Sequence, residues 1–392
     1  MAQLGDTIQL HKARYTLLAP LASSSYGVVW RAWGQGRAVA LKLINAAHMQ
    51  QVPQQQQQCW VASAEQEIRF LQQLAPWEQR HIARLLDHGE HQNLPAFALE
   101  LLGTDLQQHV QAMRQQAQQM PLSQALAWLA QMNQALAKVH QYGYCYLDLK
   151  PANVLLSHDQ QHVKLVDFGS NKPHAERQQG YRGTPNWQAP EQFFPSDMDD
   201  AGWYYSSDYR SDYFALGAML YFLVCGGLPL RFCSLCGQAF REHGVWGAHK
   251  ISQGLTLYPD EEALFLQAVD GASGISTATA ESVQPSPSAL ASLALLKTLL
   301  ATEPQQRPQS ALDIAAAIAH VQQIGTVPVR AAQHPTSVPM PVSSASAVLS
   351  EEASRWHDVL LAGVIVLLSL LVLALLMWPT SMAIAALATA LT

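Results

Sequence analysis

The sequence has little charge and no basic excess. Only 13% of its 392 residues are charged, about half the usual fraction in soluble domains. Lys plus Arg (23) is outnumbered by Asp plus Glu (29), which gives a net charge of −6. A general nucleic-acid-binding protein needs basic side chains for the phosphates, so we expect no nucleic-acid partner. Because 49% of the residues are hydrophobic, the composition excludes disorder over the whole length and requires a large core or a membrane segment.

Cysteine is also scarce. The five cysteines are odd in number and scattered, which argues against a secreted disulfide scaffold. The first residues contain no basic region followed by an apolar run, so we expect no secretory signal. The bulk of the protein is predicted to lie in the cytosol.

The one long hydrophobic run lies near the C-terminus. Residues Val359–Trp378 are 20 in number and carry no charge, and a helix of that length covers the roughly 30 Å hydrocarbon layer. The run leaves no polar face for water, so we predict one transmembrane helix rather than a buried soluble helix. Residues 323–358 before it are predicted to form a flexible linker. Residues 379–392 form a short apolar tail, too short for a second span.

The middle of the chain shows the periods of regular elements. Apolar residues recur every three or four positions from Leu126 to Val139, the spacing of one helix face, and Gly143 can end that helix. Two short apolar runs, 154–156 and 163–166, flank a polar turn and predict a hairpin.

Three further stretches stand out. The run Tyr213–Cys225 is apolar nearly all round; at 13 residues it is too short for a membrane span, so we predict a buried central helix. Residues Gln54–Gln58 are predicted to be a polar insert, and Gly271–Ser288 a loop.

Two motifs carry groups that can move a phosphate. A carboxylate, an ammonium and an amide lie within six residues, at Asp148, Lys150 and Asn153, and Asp167 opens the sequence Asp-Phe-Gly 14 residues later. Phosphoryl transfer to a hydroxyl uses such a set: one carboxylate orients the hydroxyl, a cation balances the phosphate, and an amide with a second carboxylate hold Mg²⁺. The motifs resemble those of the eukaryotic-type protein kinase family, its bacterial members above all, in the right order over roughly residues 15–318.

This resemblance implies an α+β, two-lobed protein kinase fold across residues 12–322. A small β-rich N-lobe is expected at about 12–102 and a larger helical C-lobe at about 103–322, with a Cys/His-containing insert at about 231–254. The implied cofactors are ATP and Mg²⁺.

The resemblance also assigns roles residue by residue. Asp148 matches the catalytic aspartate, and Lys150 the lysine at the γ-phosphate. Lys42, in Val-Ala-Leu-Lys, matches the lysine that contacts the α- and β-phosphates, and Glu67 its ion-pair partner, with Glu65 as the neighbouring alternative. Asn153 and Asp167 match the Mg²⁺ ligands. The implied nucleotide-binding residues are Leu21, Ala22, Ser24, Gly27, Val29, Ala40, Lys42, Glu67, Glu100, Leu102, Asn153 and Asp167.

Structural partners follow from the same resemblance. Glu191, in Ala-Pro-Glu, is expected to pair with a buried Arg307, and Asp212 to hold the backbone of the catalytic loop. Residues 99–102, Leu-Glu-Leu-Leu, resemble the hinge that hydrogen-bonds adenine, with Leu99 as gatekeeper.

The chain departs from the family pattern in the loop that covers the phosphates. Of the three glycines only Gly27 remains, because Ala22 and Ser24 replace the first two. A Cβ atom restricts the backbone where φ is positive. Weaker ATP binding and loss of activity are both compatible with this change.

A second departure concerns regulation. Tyr146 and Leu147 stand where the family has His-Arg, and the arginine normally binds a phosphorylated activation-loop residue. Between Asn171 and Gly183 there is no Ser or Thr, and Tyr181 is the only residue with a side-chain hydroxyl. We therefore predict a kinase that is not switched by the usual activation-loop phosphate. The alternative is that Leu147 packs in a core while another cation serves.

A third departure is a cysteine and histidine cluster. Cys233, Cys236, His243 and His249 could hold Zn²⁺ in a tetrahedral site. The alternative is a plain insert with reduced thiols and solvated histidines.

Together these features predict a single-pass membrane Ser/Thr protein kinase with its catalytic domain in the cytosol. Lys150-Pro151-Ala152-Asn153 and Gly183-Thr184-Pro185 resemble the Ser/Thr branch. Its expected partners are ATP, protein substrates and the lipid bilayer. Two other classes stay open, a membrane-tethered pseudokinase scaffold and a zinc-dependent adaptor.

Overall fold

The computed structural model describes residues 2–24, 27–174, 178–179, 186–200, 202–205, 207–251, 256–272 and 284–326. The predicted transmembrane helix, the tail and most of the linker lie outside these residues. No helix within these ranges combines the length and apolarity that a membrane crossing needs.

An antiparallel sheet of six strands dominates the N-lobe. The lobe consists of β1 (Thr7–Gln9), β2 (Arg14–Ser23), β3 (Gly27–Gly34), β4 (Arg37–Ile44), α1 (Ala46–Met49), α2 (Gln54–Gln73), β5 (Leu85–His91) and β6 (Leu94–Glu100). The strand order is β1-β2-β3-β4-β6-β5. Alternate residues of β4, namely Val39, Leu41 and Leu43, are buried in one apolar cluster under the sheet. Since side chains alternate across a strand, Lys42 is left on the other face.

Helix α2 packs on this lobe through residues spaced like one helix face. Ile68 and Leu71 are buried, and their spacing of three is that of neighbours on a helix. The helix begins at Gln54, directly after Pro53. The glutamines Gln54–Gln58, predicted to be a polar insert, form the first turn of α2.

The C-lobe is mainly helical. Its helices are α3 (Leu106–Gln115), α4 (Leu122–Gln141), α5 (Pro190–Phe193), α6 (Tyr209–Val224), α7 (Arg231–His243), α8 (Ala248–Ile251), α9 (Pro259–Ala272), α10 (Pro287–Leu299) and α11 (Ala311–Thr326). Its strands are β7 (Tyr144–Cys145), β8 (Val154–Leu156), β9 (Val163–Leu165), β10 (Lys172–Pro173), β11 (Gln178–Gln179), β12 (Asp197–Asp199) and β13 (Gly202–Tyr205).

The periodicity predictions for the C-lobe are confirmed. Helix α4 covers Leu126 to Val139 and ends before Gly143, whose φ of +81° turns the chain. Strands β8 and β9 pair as the predicted hairpin. In α6 every residue from Ser211 to Val224 is buried, as expected for an apolar central helix.

Several predicted boundaries change. Strand β1 precedes residue 12, where the domain was predicted to start, and pairs with β2. Helix α11 continues to Thr326, so residues 323–326, predicted to belong to the linker, are helical. Most of the predicted insert 231–254 is helical, in α7 and α8. Between α5 and α6 the short strands β12 and β13 form a hairpin that the sequence did not predict.

Candidate active site

Lys42 and Glu67 form the ion pair that the sequence predicts. The Lys42 Nζ atom lies 2.7 Å from Glu67 Oε2 and 2.8 Å from Asp167 Oδ1. The alternative, Glu65, is half exposed and pairs with Arg69 instead. Helix α2 therefore presents Glu67, and not Glu65, to the sheet.

The pair lies between the two lobes and is largely removed from water. The Glu67 side chain is 1% exposed. Burial raises the pKa of Glu67, and the Lys42 ammonium opposes that rise. One ammonium thus pairs with two carboxylates, Glu67 from α2 and Asp167 two residues after β9, so it fixes their positions relative to each other.

The catalytic-loop residues form a second cluster. Asp148 Oδ2 accepts hydrogen bonds from Lys150 Nζ at 2.8 Å and from Asn153 Nδ2 at 2.9 Å. Asn153 Nδ2 also donates to the Asp148 backbone oxygen. A 3₁₀ turn over Pro151–Asn153 brings the amide back towards the carboxylate. The Asp148 carboxylate is therefore held in one orientation from two sides.

Asp212 at the start of α6 holds the backbone before Asp148. Its buried carboxylate accepts the N–H groups of Tyr146 and Leu147 at 2.8 and 2.7 Å, and His140 Nε2 lies 2.8 Å away. These bonds match the predicted role of Asp212. They also stabilise Leu147 at a φ of +62°, a conformation that costs a non-glycine residue roughly 1–2 kcal/mol.

Gln192 also fixes this segment, and sequence reasoning missed it. Its Nε2 atom donates to the Leu147 carbonyl oxygen at 3.1 Å, and its Oε1 atom accepts the Ala189 N–H at 3.0 Å. Gln192 is 4% exposed, so these bonds are shielded from water. Its position directly after Ala-Pro-Glu was the only available signal.

Tyr146 links the catalytic loop to the Asp167 segment. Its hydroxyl donates to the Val166 carbonyl oxygen at 2.5 Å, and its ring lies edge-on to Phe168 with 5.4 Å between centroids. Burial raises the pKa of Tyr146 well above its usual value, and nearby carboxylates add to the rise. The hydroxyl is therefore a neutral donor that holds Val166 and, through it, Asp167.

The groups near Asp167 fit Mg²⁺ and phosphate. Asn153 uses Nδ2 on Asp148, so its Oδ1 is the atom that can face a cation. With the Asp167 carboxylate it makes an oxygen donor set, which Mg²⁺ prefers. Lys42 and Lys150 provide positive charge for phosphate oxygens.

The loop predicted to cover the phosphates is a β2–β3 hairpin. Ala22 pairs with Val29, and Leu21 is half exposed. Ser24 bonds Gly27 through its backbone N–H at 2.8 Å and accepts the Gly27 N–H on Oγ at 3.1 Å. Ser24 therefore stabilises the turn itself. Gly27 also lines a narrow recess together with Lys42 and Glu67.

The predicted hinge consists of the last residues of β6 and the two residues after it. Leu99 is buried next to Ala40 on β4, as a gatekeeper would be. The Glu100 carboxylate accepts from Lys164 Nζ at 2.5 Å. Leu102 follows, half-buried, before Gly103, whose N–H bonds the Leu156 carbonyl at 2.7 Å. The hinge is thus attached to the C-lobe hairpin.

Among the described residues, the cysteine and histidine cluster shows no metal-binding arrangement. Cys233 and Cys236 lie on α7 and are 0% exposed in the apolar core, and burial raises the pKa of both thiols, whereas zinc binds thiolates. His243 is 45% exposed at the end of that helix, and the His249 side chain lies outside the described residues. In the described ranges no group of three or more His, Cys, Asp or Glu side chains could hold a metal ion. The two thiols are core side chains of a helix rather than part of a loop, and the zinc site stays a hypothesis.

Leu147, which replaces the arginine of the family pattern, is buried, as expected if it packs in a core. With 6% exposure and an apolar side chain, it offers no positive charge to the activation segment. Tyr181 and Gly183-Thr184-Pro185 lie outside the described residues. The predicted pair of Glu191 and Arg307 is present, with Nη1 and Oε1 2.6 Å apart.

Comparison with known proteins agrees with this geometry. The protein kinase domain family matches residues 15–321. The chain is 30% identical over 220 residues to the carbon catabolite-derepressing protein kinase of Candida tropicalis. The matched region covers 55% of this chain and 32% of that protein. It is 28% identical over 222 residues to the serine/threonine-protein kinase ULK3 of Xenopus laevis, 55% of this chain and 42% of that protein.

The matched part thus spans less than half of either relative. The family match, in contrast, covers most of this chain and includes both lobes and every residue of the Lys42, Asp148 and Asp167 clusters. On that match and this geometry, the chain belongs to the protein kinase family.

Proposed function

We propose that the chain is a serine/threonine protein kinase that transfers the γ-phosphate of ATP, with Mg²⁺, to protein hydroxyls. The observation that carries the proposal is the pairing of Lys42 with both Glu67 and Asp167, next to the Asp148, Lys150 and Asn153 cluster. Every group that this reaction requires is present, and each is held by a partner.

The chemistry of each side chain suggests its role in the reaction. Asp148 accepts a hydrogen bond from the attacking hydroxyl and so orients it, while Lys150 balances the charge of the phosphoryl group. Lys42 binds the inner phosphates, and Glu67 keeps its ammonium in place. Bound Mg²⁺, held by Asn153 and Asp167, would neutralise negative charge on the phosphates. Glu100 and Leu102 would bond adenine through their backbone.

Two arguments favour Ser and Thr over Tyr as the acceptor. The sequence Lys150-Pro151-Ala152-Asn153 resembles the Ser/Thr branch. The relatives named above include a serine/threonine-protein kinase. Because Leu147 replaces the arginine and residues 172–182 contain no Ser or Thr, we further propose that activity does not depend on an activation-loop phosphate bound by that arginine.

The proposal includes a membrane anchor. Residues 359–378 are long and apolar enough to span a bilayer, and the catalytic domain needs cytosolic ATP. We therefore propose a single-pass protein with residues 1–322 in the cytosol.

A membrane-tethered pseudokinase scaffold is the second candidate, and the loop favours it. Ala22 and Ser24 replace two glycines, and Ser24 is bonded to Gly27 within the loop. The deciding experiment incubates the detergent-purified full chain with γ-labelled ATP and Mg²⁺, alone and with a basic protein substrate. Transfer by the wild type that is absent from an Asp148→Asn preparation supports the kinase. Nucleotide binding without transfer in both supports the pseudokinase.

A further inference from the structure

Helix α2 is tied directly to the backbone that follows Asp167. Ser63 Oγ donates to the Gly169 carbonyl oxygen at 2.8 Å, and Gln66 Nε2 donates to the Asn171 carbonyl oxygen. The approach is close: a Cβ atom on Gly169 would lie 2.3 Å from Ser63 Oγ. Only glycine at 169 lets the helix come this near.

The residues that make these contacts share one face of α2 with the ion-pair glutamate. Ser63, Gln66, Glu67 and Phe70 have the spacing i, i+3, i+4 and i+7 of helix neighbours. The Phe70 ring lies 4.9 Å from the Phe168 ring. Three of these residues contact the segment 167–171, and the fourth, Glu67, pairs with Lys42. Their contacts therefore set the distance between Glu67 and Lys42.

None of these contacts requires a phosphate. In many kinases a phosphorylated activation segment, held by cations, keeps this helix in place. Here Leu147 provides no cation, and the Ser63 and Gln66 bonds are neutral. A second neutral attachment holds the same segment further along, where β11 pairs with β13 through Gln179 and Tyr204.

We propose that Ser63 and Gln66 are positioning residues that hold α2 where Glu67 pairs with Lys42, without any phosphorylated residue. They act through Glu67 and do not touch the reacting atoms. This inference rests on the kinase function proposed above.

The first test compares steady-state kinetics of the detergent-purified full chain after phosphatase treatment. Wild-type activity should survive the treatment. Because Ser63→Ala/Gln66→Ala loses two neutral hydrogen bonds to the segment after Asp167, its kcat/KM should fall by roughly 10-fold. The control Gln73→Ala makes the same change at an exposed site of α2 and should keep wild-type kinetics. Equal kinetics for all variants, or inactivation by phosphatase, overturns the proposal.

A coupling measurement separates positioning from general stability. In the Glu67→Gln background, the Ser63→Ala/Gln66→Ala pair should cause no further loss, because its effect runs through Glu67. An undiminished 10-fold loss in that background means that the two residues act elsewhere, and the proposal fails.

A steric test addresses the Ser63–Gly169 contact itself. Gly169→Ala places Cβ against Ser63 Oγ and should reduce activity. Adding Ser63→Ala removes that oxygen, after which the nearest atoms, Ser63 O and Cβ, lie at 3.4 and 3.5 Å. The double variant should therefore recover part of the loss, and no recovery contradicts the contact.

Failure of the proposed function gives a different result. If the wild type transfers no phosphate, that function fails, and the MgATP affinity of the same variants, measured by calorimetry, decides the positioning role. A weaker affinity in Ser63→Ala/Gln66→Ala than in Gln73→Ala supports it, because Lys42 then loses its fixed partner. Unchanged affinity overturns it.

Discussion

Arg307 and Glu191 form a two-pronged ion pair inside the C-lobe. Arg307 Nη1 lies 2.6 Å from Glu191 Oε1, and Nη2 lies 2.9 Å from Oε2. The Arg307 side chain is 0% exposed and also donates to three backbone carbonyls, of Ala301, Thr302 and Arg210. The pair therefore ties α5, after the activation segment, to α6 and to the loop before α11.

Breaking this pair should destabilise the protein strongly. Arg307→Ala leaves the Glu191 carboxylate without its cation, and removal of one partner of a buried pair costs about 3–5 kcal/mol. The free energy of unfolding in urea measures the loss. Arg69→Ala is the control, since its pair with Glu65 is exposed and worth about 0–1 kcal/mol. A loss below that of the control would show that the pair is not structural.

Substitution of Asp148 and of Asp167 should change the kinetics in different ways. Asp148→Asn removes the group that orients the hydroxyl, so kcat should fall by about 10²–10⁴-fold while nucleotide affinity is retained. Asp167→Asn removes a Mg²⁺ ligand and a Lys42 contact, so the Mg²⁺ concentration at half-maximal rate should rise. Steady-state kinetics with varied ATP and Mg²⁺ separate the two. An identical pattern for both variants would contradict the assigned roles.

Most of the fold and of the candidate site could be predicted from the periodicity of apolar residues and from the order of the motifs. The apolar spacing in α4 and the all-round apolarity of α6 gave those helices directly. The bonds of Gln192, Ser63 and Gln66 could not be foreseen, because each partner is a backbone N–H or carbonyl group, which no residue type marks, and the Ser63 partner is 106 residues away.

The spacing of Cys233 and Cys236 is compatible with two different local structures. The spacing of Cys233 and Cys236 suits a metal loop, but it is also one turn of a helix, and burial on α7 uses it in the second way.

Glu78 should make stability depend on pH. It accepts hydrogen bonds from Tyr142, the Ala75 N–H and Lys138, which lower its pKa from 4.5 to about 2, with the Tyr142 bond as the largest cause. A lowered pKa stabilises the fold above the unfolded pKa, and the contribution is lost as pH falls through the folded one. Glu78→Gln should thus melt below the wild type at pH 7, and the gap should narrow between pH 4.5 and pH 2. The exposed Glu90→Gln is the control; a gap that widens in acid contradicts the assignment.

The thiol of Cys233 should behave as a core side chain. Cys233→Ser places a hydroxyl in apolar surroundings, which costs roughly 1–3 kcal/mol. Cys59→Ser, at an exposed position of α2, should leave the unfolding free energy unchanged. A chelator should not alter the melting temperature of the wild type. Melting that falls with the chelator would restore the zinc site.

Membrane attachment should depend on the residues after Ser350. Residues 359–378 carry no charge, and insertion scales favour each Leu, Ile or Val at a helix centre by about 0.3–0.6 kcal/mol. The full chain should therefore stay in the membrane fraction after carbonate or high-salt washing, which removes proteins held by surface charge. A chain ending at Ser350 should move to the soluble fraction and keep its phosphoryl transfer, because both clusters lie before residue 323. Protease added outside intact cells should leave the catalytic domain uncut, as ATP is cytosolic. If the truncated chain remained in the membrane, a second attachment would exist and the proposed topology would be incomplete.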